Sequence, residues 1–500
     1  MRTRRGTVLV AVMVISVLAA MVAASLLFRM RAEVAAAAAG DKGEQAYVAA
    51  MSGVQRAISI LQTSAADSDL WYDNPTLFMN QFVCDDGVNR WYFTIYADNP
   101  SDRSTVRYGL EDEASKININ TANAEALLAL PNMTPELVDC LLDYRDTDNN
   151  TRPQGAEQDY YSTLPQPYLI KNGPFLTLEE LLLVKGFNAQ IVYGEDYNMN
   201  GLLDQNEDDG DTSFPPDNSD GQLDTGLRGV ATTLSYELST DSSGKRRVLL
   251  NGDVQGLQSA GLPKQTVDFI TAYLAEGNRF RHPSELLNMR YQLKNPPRPT
   301  QGPGRGGSGQ SGSDQGRRGR GGSGDSGSGQ SGPGSGGFTG VTPAGPQQEV
   351  WIESGVTVRE LPLVMDKLTT SPAFAAGLVN VNTAELKVLS GLPGMGEGAG
   401  QRIIDARSQL ADPALKSTTA WLFTEGVVDE ATFKQVAPRL TARSYQFRLR
   451  CIGFGVPCGR FRILEVVVDM ARGAPRIVYI REITRLGQPF ALNVEQEQVR

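Results

Sequence analysis

Twelve residues, Asp196-Tyr-Asn-Met-Asn-Gly-Leu-Leu-Asp-Gln-Asn-Glu207, carry the clearest chemistry in this chain of 500 residues. Asp196, Asn198 and Asn200 stand at alternate positions, Gly201 follows where the loop must turn, and Asp204 and Glu207 complete the set. This is the spacing of an EF-hand loop. Side-chain oxygens fall at the first, third, fifth and ninth positions, the Leu202 carbonyl at the seventh, and a two-oxygen carboxylate at the twelfth. Calcium takes six to eight oxygens at about 2.3–2.6 Å, and such a loop wraps that number round one ion. Solvated acidic loops share the composition, which is the bland alternative. No evident pair of EF-hand helices flanks the loop, so the expectation is a lone structural calcium site, not a sensor. Asn218, Asp220 and Asp224 begin a second loop around Gly221. Pro216 and Leu227 occupy its first and last positions, so it is partial.

Other chemistry is thin. The single histidine, His282, lies in the polar run Arg279-Phe-Arg-His-Pro283 and reads as a loop residue. One imidazole excludes His-based zinc sites and disfavours a Ser-His-Asp triad. No nucleophile–base set or phosphate loop accompanies it, so no catalytic residues are assigned. A net charge of −10 argues against a nucleic-acid surface. Four cysteines are too few for a disulfide scaffold. Cys451 and Cys458 flank Gly453-Phe-Gly-Val-Pro457, which reads as a hairpin turn and predicts a bridge between them; Cys84 and Cys140 are unassigned.

The elements that must position the loop are helical. Lys116-Ile-Asn-Ile-Asn-Thr-Ala122 leads into an alanine–leucine helix with Thr121 as its cap, then Thr134 to Arg145. Leu378-Val-Asn-Val-Asn-Thr-Ala384 repeats the pattern and continues to Arg407. Both copies are similar to helix-hairpin-helix units. DNA-binding versions present a Gly-x-Gly hairpin to phosphate. The first copy has Pro131-Asn-Met-Thr-Pro135 instead, and the second follows Gly394 and Gly396 with Glu397. A structural role is therefore expected. Between the copies, Thr177 caps a helix that Gly186 stops, and Leu257–Leu274 and Pro283–Met289 are further short helices. Residues 114–295 thus read as an all-helical domain carrying the calcium loop. Residues 296–347 are a disordered Gly/Ser/Arg linker, and 348–440 a second helical unit.

Strands bracket the helices. Arg90–Tyr96 and Ser104–Leu110 alternate before them; Tyr445–Ile452, Arg460–Met470 and Arg476–Leu486 follow. At the start, Arg2, Arg4 and Arg5 lead to Gly6, and an apolar run extends from Thr7 through Phe28. Its roughly 22 residues span about 33 Å, enough to cross a bilayer core. A cleaved signal, a single-pass anchor and a prepilin with a leader cut after Gly6 all fit this start. Beyond it, Tyr47, Met51, Val54, Ile58 and Leu61 recur at helical spacing, so the helix continues with an apolar face. The basic leader stays cytoplasmic and sends the bulk of the chain outside.

Together, the Arg-Gly6 junction, Ile117-Asn-Ile-Asn-Thr-Ala122, Glu180-Leu-Leu-Leu-Val-Lys-Gly186 and Val379-Asn-Val-Asn-Thr-Ala384 resemble the K-class minor pseudopilins of type II secretion. The resemblance implies an α+β, pilin-like fold: a long N-terminal helix and an antiparallel sheet, with a large inserted all-α domain of helix-hairpin-helix or SAM-like units. Its parts would be a leader at 1–6, the membrane helix at 7–28, pilin portions at 29–113 and 441–500, and calcium in the insert. It further implies prepilin cleavage between Gly6 and Thr7, methylation, and a bacterial inner-membrane protein with a periplasmic bulk. After extraction it would cap the pseudopilus tip without enzymatic activity. Its partners would be I- and J-class pseudopilins, other pseudopilins and prepilin peptidase, with the secreted substrate or outer-membrane channel as further contacts. Cutting after Gly6 makes Ala11 the fifth mature residue, where most pilins carry glutamate; the K class resembles this chain in lacking it. The alternative is a membrane-anchored helix-hairpin-helix DNA receptor of a DNA-uptake system, which requires a basic face.

Overall fold

The computed structural model describes residues 4–65, 67–252, 254–294 and 349–492. The first leader residues and the 296–347 linker lie outside the described residues. Helix α1 (Arg4–Ser64) is one unbroken rod of 61 residues. The stretch Val8–Val34 is long and apolar enough to cross a membrane, an 18-residue window in it having a mean hydropathy of 2.7, and among the described residues none covers it. Beyond that bare half, the helix lies on a sheet.

The sheet runs β1 (Gln81–Asp85), β2 (Arg90–Asp98), β3 (Gln446–Val456), β4 (Phe461–Asp469) and β5 (Arg476–Glu482) in spatial order. All neighbours are antiparallel. Val106–Arg107 adds to β2, and Glu111–Asp112 to β3. The Ser104–Leu110 strand of the sequence reading is thus only two residues of ladder. β1, which no alternation announced, supplies the edge.

The buried face of α1 is made of small residues. Ala46, Ala50, Val54, Ala57 and Leu61 are fully covered, whereas Tyr47, Met51 and Ile58 are only half-buried at the margin. Close approach explains the choice. A Cβ on Gly53 would stand 2.4 Å from Cys451 Sγ, and one on Gly453 would stand 2.2 Å from the Ala46 carbonyl. Only glycine fits where backbone and side chain meet at that distance. Ile95, Phe447, Leu449, Leu464 and Val466 then fill the interface.

These glycines also correct the expected Cys451–Cys458 bridge. Gly453 and Gly455 are not turn residues; β3 continues through them to Val456. Cys451 therefore sits mid-strand opposite Leu464, with Sγ donating to the Ala50 carbonyl at 3.2 Å. Cys458 lies beyond the strand's end, its Sγ on the Gly455 carbonyl at 3.5 Å. Both thiols are free, as are Cys84 and Cys140.

The chain leaves the sheet after Asp112 and returns at Gln446. The insert between β2 and β3 is built round one apolar core reaching from Ile117 to Leu440. The segments before and after the linker share it. Val248–Leu249 pairs with Leu368–Thr369, and Tyr236–Leu238 with Phe374–Ala376. Arg290–Gln292 pairs with Trp351–Glu353, so the linker leaves and re-enters through one ladder. Adding chain at such a point costs little, because the ends are already held together.

Within the insert lie two matching helix pairs: α2 (Ala124–Leu128) with α3 (Pro135–Arg145), and α4 (Leu386–Ser390) with α5 (Ala399–Gln409). The cap of α2 is Asn123, which accepts from Ala126 N–H, not Thr121. Thr121 instead bonds back to the Asn118 carbonyl. Thr177 does cap the next element, closing a box with Glu180 on a 3-10 helix at Leu178–Leu183.

Candidate metal centre

The loop from Asp196 to Glu207 folds inward. Asp196, Asn200 and Glu207 are buried, and Gly201 takes φ +74°, the conformation glycine tolerates. Asp196 Oδ1 accepts from Asn200 N–H at 3.0 Å, and its Oδ2 from Gly201 N–H at 3.1 Å. Asn198 Oδ1 also accepts from Asn200 N–H at 3.0 Å, and Asn200 Oδ1 from Leu202 N–H at 2.7 Å. Glu207 closes the loop on itself, accepting from Tyr197 N–H and Asp204 N–H, both at 3.2 Å. The amides of Asn198 and Asn200 meet Asp204 Oδ2 at 2.7 and 3.0 Å. Asp196, Asn198, Asn200, Asp204 and Glu207 are therefore joined into one set.

The set fits a hard cation. Every donor is oxygen, the pairing suited to calcium rather than to a soft metal. Burial pushes the Glu207 carboxyl up to about 7, and the charges of Asp196 and Asp204 add to the shift. Burial also raises Asp196, against the pull of Arg228. Carboxylates held this way gain most from a neutralising charge.

The second, partial loop comes together less completely. Asn218 Oδ1 accepts from Asp220 N–H at 2.9 Å, keeping those two residues adjacent. Asp224 is turned to other work, with Oδ1 on Gly226 N–H at 2.9 Å and Oδ2 taking the Asn132 amide at 3.3 Å.

Sequence reasoning missed where the first loop sits. It is clamped against the sheet by residues far away in the chain. Arg228 Nη2 binds Asp196 and lies 3.7 Å from Asp98 of β2. Arg450 of β3 donates to the Met199 carbonyl at 2.5 Å, while its other nitrogen binds Asp98 and, at 2.8 Å, Glu111. Leu203 N–H reaches the Arg103 carbonyl at 3.0 Å, and the Asn200 amide the Pro489 carbonyl at 3.3 Å. A Cβ on Gly201 would meet Asp98 Oδ1 at 2.2 Å. Burial works against the Asp98 and Glu111 charges, but Arg450, with Arg228 beside Asp98 and Lys116 beside Glu111, holds both carboxyls below their usual range. Further along the seam, Arg448 pairs with Glu113 at 2.6 Å and Glu465 at 3.2 Å, and Arg481 with Glu179 at 2.7 Å. Only the odd placement of arginine in apolar strands at Arg448 and Arg450 hinted at this in the sequence.

The hairpins of the two helix pairs differ in backbone and surroundings. Gly394 takes φ +87°, and a Cβ there would stand 2.6 Å from the Gln435 side chain; Asn132 occupies the left-handed position in the first pair.

The molecule is thus a mixed helix-and-sheet protein with one N-terminal helix fit to be a single-pass anchor, and the insert expected to be all-helical instead mixes short helices with two-stranded ladders, because its distant segments pair through strands such as Val248–Leu249 and Tyr236–Leu238. Residues 108–193 match the family model described as type II secretion system, protein K. This bears out the resemblance drawn from the motifs. Among solved structures, the chain is similar to a chain in the crystal structure of the GspK-GspI-GspJ complex from the enterotoxigenic Escherichia coli type 2 secretion system. The two are 13% identical, with 91% of this chain and 99% of that one covered, at a TM-score of 0.38 that carries no argument by itself. No curated protein matches.

Proposed function

We propose that this protein is a minor pseudopilin of the K class, a non-enzymatic part that caps the tip of a periplasmic pseudopilus in type II secretion. The observation that carries the reading is α1, bare and apolar over Val8–Val34 and packed on a sheet over its second half. Such a helix serves twice: in the membrane before assembly and against other subunits' helices afterwards. The family match at 108–193 supports the class. Ala11 supports the tip, because a subunit with nothing above it needs no buried carboxylate to meet the next N-terminus, and an unpaired one in lipid is costly. The insert adds bulk beside the sheet and would block further addition. Its helix pairs serve as packing units of the helix-hairpin-helix kind, not as DNA readers.

Calcium is structural in this reading. Asp196, Asn198, Asn200, the Leu202 carbonyl, Asp204 and Glu207 would hold it, and its charge would fix the loop that clamps insert to sheet. The partners in this reading are the I- and J-class pseudopilins, which the motif resemblance to the K class implies.

The test is co-expression of the full chain with the I- and J-class pseudopilins of one secretion system, followed by purification in detergent. The expected result is a three-chain complex. Failure to capture either partner, together with a duplex-DNA gel shift that salt abolishes, would replace this function with the DNA-receptor alternative.

A further inference from the structure

Each helix pair borders a cleft at the same place, and the two clefts differ. Asn120 bridges the carbonyls of Phe175 and Thr233, and Asn382 those of Lys416 and Ala442. The residues that follow those carbonyls, Leu176 and Leu234 in one copy and Ser417 and Arg443 in the other, line the matching clefts. In the first copy Arg448, Arg450 and Arg481 of the sheet close in and leave about 30 Å³. In the second the facing wall is Arg247, Arg281 and His282, and the cavity measures about 160 Å³. A cavity of about 150 Å³ takes a benzene-sized molecule, so this one has room for a small ligand.

The acids around this cavity are already engaged. Glu237, the one carboxylate in its lining, lies 2.9 Å from Arg247 Nη2 and accepts from the Thr441 hydroxyl at 2.7 Å. Asp366, outside the lining, pairs with Arg443 at 2.6 Å and with Lys367 at 3.3 Å. Glu285 accepts from the Arg281 backbone N–H at 3.3 Å. The Arg281 guanidinium itself, on an exposed residue, has no ion pair or hydrogen bond among the described residues.

His282 supplies a second idle donor. Its Nδ1 accepts from Ser284 N–H at 3.2 Å, so the neutral ring carries its proton on Nε2. Burial, with the Arg247 charge adding to it, lowers the imidazole to about 4, and the ring is neutral at pH 7. Among the described residues none accepts from Nε2. Thr419 Oγ1 is buried without a partner, and Thr418 Oγ1 accepts from Ala420 N–H at 3.4 Å, which leaves its own proton to give.

We propose that this cavity binds a small oxyanion, a carboxylate or a phosphate, with Arg281 making the charged contact and His282, Thr418 and Thr419 donating beside it. A guanidinium meets either anion with two parallel bonds, and such charge-assisted bonds are about twice as strong as neutral ones. Donors left unpaired in a half-buried wall gain most from a ligand made only of acceptors. The proposal rests neither on the secretion reading nor on calcium at 196–207.

His282 is the one histidine of the chain, so a single imidazole signal reports on the cavity. The test is NMR of the full chain in detergent, labelled with 13C at histidine and purified without a histidine tag. It is titrated at pH 7 with inorganic phosphate and, separately, with acetate, against sodium chloride at matched ionic strength. The expected result is a saturating shift of the imidazole signal with at least one of the two anions, which also names the group bound. Arg281→Gln, at an exposed residue, should melt with the parent in chloride and raise the midpoint concentration about tenfold. A signal that moves with both anions no differently from chloride overturns the proposal, and so does a midpoint that Arg281→Gln leaves unchanged.

Discussion

Arg145 and Arg407 occupy matching places in the two helix pairs. Arg145 donates to the Ile119 carbonyl and, at 2.6 Å, to that of Ala122. Arg407 donates to the Val381 carbonyl at 3.2 Å and that of Ala384 at 2.7 Å. Asn120 and Asn382 repeat the likeness, each amide bridging two carbonyls: Phe175 and Thr233 for one, Lys416 and Ala442 for the other. The surroundings differ. The first pair opens into an acidic loop at 146–157 and lies in the same half of the insert as the 196–207 loop. The second is followed by Ser408-Gln-Leu-Ala-Asp412, with no gathered acids. Even the ties to the sheet divide between neighbouring residues. Asp112 accepts from Asn380, Thr383 and Ser444 of the second half, and Glu113 from Thr232 of the first. The two pairs share a scaffold, and among the described residues only the first has three acids gathered beside it.

The largest expected effect tests the shared scaffold. Arg145→Met and Arg407→Met each strand two backbone carbonyls and should each cost about 2–4 kcal/mol by chemical denaturation. Costs differing by more than about 2 kcal/mol would break the likeness.

Calcium should separate the copies. At a hundredfold excess over its dissociation constant, one bound ion stabilises by about 2.7 kcal/mol. Hydrogen exchange should slow across 196–232 and not across 379–407. Equal protection in both regions, or none in the first, would remove the loop from the account.

A cavity on the second half of the insert should respond to acid. His282 lines a cavity of about 160 Å³ with Thr418, Thr419 and Arg443. Burial, helped by Arg247, lowers its imidazole to about 4. The unfolded chain, with an ordinary value near 6.5, then takes up the proton first as pH falls. Stability is present above about pH 6.5 and lost on the way down to 4, by an amount on the order of 2 kcal/mol. His282→Gln should flatten that slope in melts run from pH 7 to 4; an unchanged slope would place the acid sensitivity elsewhere.

The smallest effect distinguishes the helix starts. Asn123 caps α2 through its side chain, while Glu385, its counterpart before α4, makes no such bond. Asn123→Ala should cost about 1 kcal/mol by thermal melt and Glu385→Ala much less.

Much of this was legible from residue types. The repeated Asn-x-Asn-Thr-Ala strings marked both pairs, and the oxygen spacing at 196–207 marked the loop, because local hydrogen bonding sets both. What was not legible depended on approach between distant segments. Gly453 and Gly455 read as a turn, since nothing local tells a turn glycine from one making room for a helix. On α1, Val54 and Leu61 lie on the buried face as their spacing predicts, while Ala46, Ala50 and Ala57 share it because the sheet comes close there, which nothing local announces. Asp143 gave no signal at all, since it comes together with Asp146 and Glu157 only in the folded chain.

The central claim is that α1 is a processed pseudopilin helix. The most direct measurement is the mature N-terminus of the full chain from a bacterium with an active type II system, by intact mass and N-terminal sequencing. The account predicts a first residue of Thr7, next to the cut after Gly6. A chain starting at Met1, or one cut near Ser25, would contradict it.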